Sequence, residues 1–379
     1  MENKFLLSVQ VKLLASFLSI ASLSACSESN KSSVIRKTAP IELLSPQDIS
    51  LEKIVSSITA IPLETNDSSL LREFSPNSLW VGDDYILVVS DGLKQFDSTG
   101  KFIKQLVSKG EGPDNVPYIG DYWIVDDLVY VTYSTECKVY NLNGQLVRSF
   151  TLPVFPSGFC VTENGQTFIA ALAGIGANGT QRLAFFEEDK SPDIILRPGV
   201  TKEQVKNTYM LGQEGTFRAS GKKIYLKEVL NDTIFSVDAD TKTMHPFLIL
   251  ELGEKRSTPL KRYELLPEEL FMTTPFNNFV GVNDKMLILN SLCPDIEKQC
   301  THSSVICYNL NDNTTLSGRL KYSNRLLDSI DPSLVANLND ENRNYFTPFT
   351  MTQDGKQLVS VVHPIEDKNP VLIFATFIE

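Results

Sequence analysis

The sequence predicts an all-β protein, a six-bladed β-propeller of four-stranded antiparallel blades whose last blade is closed by an N-terminal strand. Three observations lead there. A strand-and-turn pattern recurs at about 43 residues, the range of one propeller blade. Comparable units fill most of the 379 residues. An unpaired strand near the start complements an incomplete unit at the end.

Residues 84–106 (DYILVVSDGLKQFDSTGKFIKQL) open the series, and residues 127–150 repeat their layout. Each has an apolar β-branched or aromatic run, a short break, a second run with Tyr or Phe, a polar turn containing Gly and a third run. The turns are Asp97–Gly100 and Asn141–Gly144, signatures of antiparallel hairpins. Residues 164–172 with 182–196 give a third unit, 221–229 with 232–250 a fourth, and 283–291 with 304–320 a fifth. Residues 354–362 with 369–379 give a sixth, short of a final strand because the chain ends. The stretch SITAIPLE, Ser57–Glu64, is a strand without a unit of its own, and a ring must pair its termini or leave sheet edges open. A β-sandwich of hairpins is the alternative, but six units are too many for a single sandwich. Helical signals are confined to Lys202–Asn207, Pro259–Leu270 and Arg325–Asn337, between units.

Residues 1–25 have the layout of a secretory signal peptide: Lys4 and Lys12, an apolar stretch Leu13–Leu23, and small residues. Leu23-Ser24-Ala25-Cys26 resembles a bacterial lipobox, which implies that Cys26 is lipidated and anchors the chain in a membrane. Serine after the cysteine implies, by the same resemblance, the outer membrane. Residues 26–56 then read as a tether and lead-in, polar from Ser27 to Thr38, and residues 57–379 as one propeller domain.

The net charge of −11, with no basic run, speaks against a nucleic-acid partner, since phosphate binding needs clustered Lys and Arg. Five cysteines follow Cys26. Cys293 and Cys300 bracket the polar segment CPDIEKQC and are the expected disulfide, whereas Cys137, Cys160 and Cys307 lie in apolar runs and read as buried hydrophobes. No metal ligands are expected: there is no CxxC pair, and His245, His302 and His363 are far apart in sequence.

Ile61–Leu71 (IPLETNDSSLL), Phe96–Asn115 (FDSTGKFIKQLVSKGEGPDN), Asn231–Asp238 (NDTIFSVD) and Asn369–Phe377 (NPVLIFATF), in this order behind a lipobox, resemble the six-bladed propeller lipoproteins of Bacteroides-type bacteria, akin to NHL and TolB-type propellers. That resemblance implies the fold far more than an activity.

Motifs for catalysis are weak. The glycine-rich Lys109–Asn115 lacks a GK[ST] ending and reads as the crossover between the first two blades. Asp97-Ser98-Thr99-Gly100 reads as a strand turn, and neither G-x-S-x-G nor H-E-x-x-H occurs. Tyr118, Tyr122, Trp123, Phe276 and Phe279, near the crossovers, are candidate ligand contacts. The expected function is therefore a lipid-anchored, non-catalytic envelope propeller that binds a protein, peptide or glycan through one face of the ring, without a cofactor. The alternative is a calcium-dependent hydrolase or lyase with carboxylates converging in the funnel. A third reading, a structural subunit of an envelope complex, requires a large apolar surface patch.

Overall fold

Short polar residues fix the chain reversals. In the computed structural model, which describes residues 37–378 except 177–178, 207–213, 257–259, 335–337, 339–343 and 364–367, the Asp97 carboxylate accepts the amides of Thr99 and Lys101 at 2.9 and 3.0 Å. Gly100 then takes a φ of +86° that a side chain would resist. Asn141 plays the same part for Asn143 and Gln145, with Gly144 at +82°. Both turns lie where the sequence placed them.

Six sheets result. After three N-terminal strands, β1 (Lys37–Pro40), β2 (Asp48–Ser50) and β3 (Val55–Pro62), the first blade comprises β4 (Leu79–Val81), β5 (Tyr85–Val89), β6 (Gly92–Asp97) and β7 (Phe102–Ser108). The second comprises β8 (Asp121–Val125), β9 (Leu128–Tyr133), β10 (Glu136–Asn141) and β11 (Leu146–Thr151). The third holds β12 (Phe159–Val161), β13 (Phe168–Ala171), the two-residue β14 (Ile175–Gly176), β15 (Gly179–Phe186) and β16 (Asp193–Leu196). The fourth holds β17 (Gly215–Ser220), β18 (Lys223–Glu228), β19 (Thr233–Asp238) and β20 (Thr243–Glu251). The fifth holds β21 (Phe276–Val282), β22 (Met286–Asp295), β23 (Cys300–Asn309) and β24 (Thr315–Lys321), and the sixth β25 (Pro348–Met351), β26 (Gln357–Val362) and β27 (Val371–Phe377). Within each blade the first strand is innermost. Helical structure among the described residues is short: a 3-10 turn at Lys202–Gln204 and α1 (Lys261–Glu264) lie within the stretches expected to be helical, α2 (Pro267–Thr273) and α3 (Asn324–Leu327) overlap them, and 3-10 turns at Leu51–Lys53, Pro76–Ser78 and Gly253–Lys255 lie outside them. Residues 207, 259 and 335–337 of those stretches lie outside the described residues.

Both faces of a blade are buried, because each packs against a neighbour on either side. Successive residues of one strand point to opposite faces, so Ile86 and Val88 pack with Val359, Leu372 and Phe374 of the sixth blade. Leu87 between them packs with Val129, Val131 and Tyr140 of the second. Equivalent apolar clusters lie between the second and third, third and fourth, fourth and fifth, and fifth and sixth blades. Continuous apolar runs such as ILVV and VYV follow from this double burial.

The ring closes as the sequence predicts. β3 pairs antiparallel with β27, Ala60 opposite Ile373 and Ile58 opposite Ala375, and supplies the fourth strand of the sixth blade. The folded body begins earlier than residue 57, however. It starts at Lys37, and β1 and β2 add a fifth, parallel strand to the fourth and fifth blades. Ala39, Leu43, Ile49, Leu51, Ile54 and Val55 are buried there, and β1 and β2 are too short to register a period. The signal segment and Cys26 lie outside the described residues.

The alternation of strands sorts the connections. One face of the ring carries the crossovers from an outer strand to the next inner strand, together with the hairpins joining second and third strands. We call this the crossover face and its opposite the turn face.

Candidate functional site

The crossover Lys109–Gly120 between the first two blades is held rigidly. Gly110 donates to the Val116 carbonyl at 2.9 Å, and Val116 donates to that of Ser108 at 3.1 Å. From β10, Lys138 Nζ reaches the carbonyls of Pro113 and Asn115, both at 2.6 Å, and the Tyr140 hydroxyl that of Asp114 at 2.9 Å. The loop therefore presents side chains from a fixed backbone. Tyr118 stands near its end, 45% exposed, its hydroxyl accepting the Ser134 amide at 2.8 Å and its ring edge-on to Tyr133. Beside it is a depression of about 220 Å³ lined by Glu73, Val89, Ser90, Lys109, Val116 and Tyr118, among others. Lys109 and Glu73 lie 3.8 Å apart and largely exposed, an ion pair weak enough for a ligand to part.

The other aromatic candidates are elsewhere. Tyr122 and Trp123 belong to β8, not to a loop. The Tyr122 hydroxyl donates to the Ser78 carbonyl at 2.8 Å and burial pushes its pKa well up, while Trp123 packs in the cores flanking the third blade. Phe279 on β21 is fully buried between the fourth and fifth blades. Phe276, at the start of β21, stacks on Phe271 of α2 with ring centroids 4.8 Å apart. The repeat units read from the sequence begin at the second strand of each blade, so inner strands such as β8 and β21 fell between units.

Polar groups on and around the inner strands join neighbouring blades. Asp121 accepts the amides of Tyr122 and Phe159, both at 2.9 Å, bridging β8 to β12. Arg218 on β17 donates to the Val280 carbonyl of β21 at 2.9 Å, and burial pushes its guanidinium down to about 10. Asn290 donates to the Pro348 carbonyl, and the Gln353 amide to that of Val81 at 2.8 Å. Gly158 and Gly215 meet so closely that a Cβ on Gly158 would lie 2.0 Å from the Gly215 oxygen. Asp121 is the single carboxylate of the six inner strands. Calcium takes six to eight oxygens, several of them from carboxylates, and the inner strands do not bring such a set together.

A deeply buried acid, Glu228 at the end of β18, is 6% exposed. Its Oε1 accepts from Arg197 and its Oε2 from Arg182, both at 2.6 Å, and Asn231 adds a bond at 2.7 Å. Burial alone would raise its pKa, but Arg197 and Arg182 outweigh this and hold it at about 2. With both oxygens engaged, it ties the third blade to the fourth and has no oxygen free for a substrate.

The expected disulfide is not formed. Cys293 and Cys300 are separate thiols, along with Cys137, Cys160 and Cys307. The bracketed segment is a hairpin, with Cys293 opposite His302 and Cys300 opposite Asp295, so the two cysteines are diagonal neighbours two register steps apart. Such positions are farther apart than the usual disulfide Cα spacing. Cys293 is buried with the core of the fourth and fifth blades, and Cys300 is exposed beside His302. Under native conditions a maleimide should therefore label Cys300 and spare the other four, as peptide mapping would show; labelling of Cys293 at a similar rate would contradict the packing.

These features define a six-bladed propeller with a rigid aromatic depression on its crossover face. The chain belongs to the family described as Domain of unknown function (DUF4934), which matches residues 37–376, starting where β1 starts. No curated protein matches it. Among solved structures, a Bacteroides fragilis protein described as exported is similar at a TM-score of 0.65 and 14% identity, over 90% of this chain and 99% of that one. Hydrazine synthase of Kuenenia stuttgartiensis scores 0.43 at 11% identity, covering 83% and 99% of the two chains. The Neurospora crassa Pan2 WD40 domain scores 0.42 at 9%, covering 88% and 100%. The first similarity is one of fold, and the other two carry no argument.

Proposed function

We propose that the protein is an exported, lipid-anchored propeller that captures a glycan or peptide from its surroundings in the depression beside Tyr118. The observation that carries this reading is the aromatic ring itself. It is half exposed, fixed at its hydroxyl, and flanked by one acid and one base on a backbone that has no freedom to collapse onto it. A volume of about 220 Å³ suits a single sugar unit or one amino-acid side chain, with the remainder of the polymer lying across the face. Binding here needs no bond-making. Export is supported by the signal-like residues 1–25 and by the description of the Bacteroides fragilis relative. An outer-membrane anchor rests on the lipobox-like ending at Cys26.

A thermal-shift screen of envelope glycans and peptides tests the binding. A true ligand raises the melting temperature of the wild-type chain, by mass action on the folded state, and does so far less for Tyr118→Ala. A ligand that stabilises both chains equally would place binding elsewhere. The anchor is tested separately: Cys26→Ser should move the protein from the membrane fraction to the soluble one, and retention in the membrane would remove that element of the reading.

A further inference from the structure

At the tip of the β22–β23 hairpin on the crossover face, Asp295, Cys300 and His302 offer an oxygen, a sulfur and a nitrogen that all lie within 4.8 Å of one another. The ladder accounts for their meeting. Cys300 is directly opposite Asp295, and His302, two residues on, shares its face of the strand. His302 Nε2 is 3.0 Å from Asp295 Oδ2 and 3.8 Å from Cys300 Sγ. We propose that these three side chains form a binding site for one zinc ion.

Two features separate this arrangement from others with the same residues. In a nucleophilic relay, the histidine takes the thiol proton on one ring nitrogen and is oriented by the carboxylate through the other. Here thiol and carboxylate both address Nε2, so three donors converge on one point, as metal ligands do. The distances also suit zinc. With bonds of about 2.3 Å to sulfur and about 2.0–2.2 Å to nitrogen and oxygen, tetrahedral edges are about 3.6 Å for sulfur–nitrogen and about 3.4 Å for nitrogen–oxygen. The observed 3.8 and 3.0 Å are within a few tenths of an ångström of these. A thiolate with an imidazole selects zinc over calcium or magnesium, which favour oxygen donors.

The surroundings fit as well. The Lys298 amide donates to Asp295 Oδ1 at 3.1 Å, which fixes the carboxylate and leaves Oδ2 turned toward His302. The Lys298 ammonium lies 3.3 Å from the same Oδ2, on an exposed side chain that a cation would displace. Three protein ligands leave the fourth position for water or for a donor from outside. The site is spatially distinct from the Tyr118 depression, on another blade, and stands independently of it.

The test uses the full chain carrying Cys26→Ser, so that the described thiols are the ones present. Zinc should bind with one-to-one stoichiometry in competition with a chromophoric chelator, and cobalt should give a thiolate-to-metal charge-transfer band. Cys300→Ser and His302→Gln should abolish both while keeping the wild-type melting curve, and zinc should protect Cys300 from maleimide. Lys298→Ala should tighten binding up to about fivefold by removing an exposed competing pair. Absence of saturable zinc binding, or binding that survives Cys300→Ser unchanged, would overturn the proposal.

Discussion

A chain that starts after Leu63, and so lacks β3 along with β1 and β2, is expected to lose cooperative unfolding and to self-associate. β3 contributes the outer strand of the sixth blade, paired with β27 along its length from Val55 to Pro62. It also buries Val55 and Ile58 against the fifth and sixth blades. Without it β27 becomes an open edge of a largely apolar strand, VLIFATF, the kind of template that pairs with other chains. A synthetic peptide of residues 37–63 added in trans should restore a monomer by occupying the vacant positions beside β20, β24 and β27. Size exclusion and circular dichroism would read both effects. In the intact chain, Ile58→Asp places a carboxylate at a position 3% exposed and should cost several kcal/mol. A truncated chain that stays monomeric with the wild-type melting profile would show that the ring does not depend on this strand.

Glu228→Ala should cost about 3–5 kcal/mol at neutral pH, because it leaves Arg182 and Arg197 as buried cations without their shared partner. The same site predicts an acid limit to stability. The Glu228 carboxyl is lowered from 4.5 to about 2 on folding, so its contribution is fully present above pH about 4.5 and is lost as the pH falls toward about 2. Urea midpoints of wild type and Glu228→Gln should therefore differ most at neutral pH and converge toward pH 2. A constant difference, or one below about 1 kcal/mol, would mean that the pair is not the tie between the third and fourth blades.

Much of the architecture was legible because double burial writes long apolar runs, and Asp or Asn with Gly marks the reversals between them. Asp97–Gly100 and Asn141–Gly144 located two blades, and Ser57–Glu64 with the truncated last unit located the closure. Strands of three or four residues, such as β2, β4 and β12, carry too few side chains for any period to show. Tyr122, Trp123 and Phe279 read as crossover residues for a different reason: the repeat units were counted from the second strand of each blade, so the inner strands β8 and β21 fell between units. Tyr118 does lie in a crossover, which was recognisable from its Gly and Pro residues. Asp295, Cys300 and His302 were missed because Cys293 to Cys300 read as a loop to be stapled. Read instead as a hairpin with its turn at Ile296–Gln299, the same residues place Asp295 opposite Cys300 and His302 on one face.

The measurement that bears most directly on the proposed binding role is hydrogen–deuterium exchange of the full chain with and without the best ligand from the screen. Slower exchange confined to Val89–Gly92 and Lys109–Gly120, and absent in Tyr118→Ala, is the expected result. Protection concentrated instead on the turn face, at residues 97–100, 141–144 or 352–356, would contradict the assignment of binding to the crossover face.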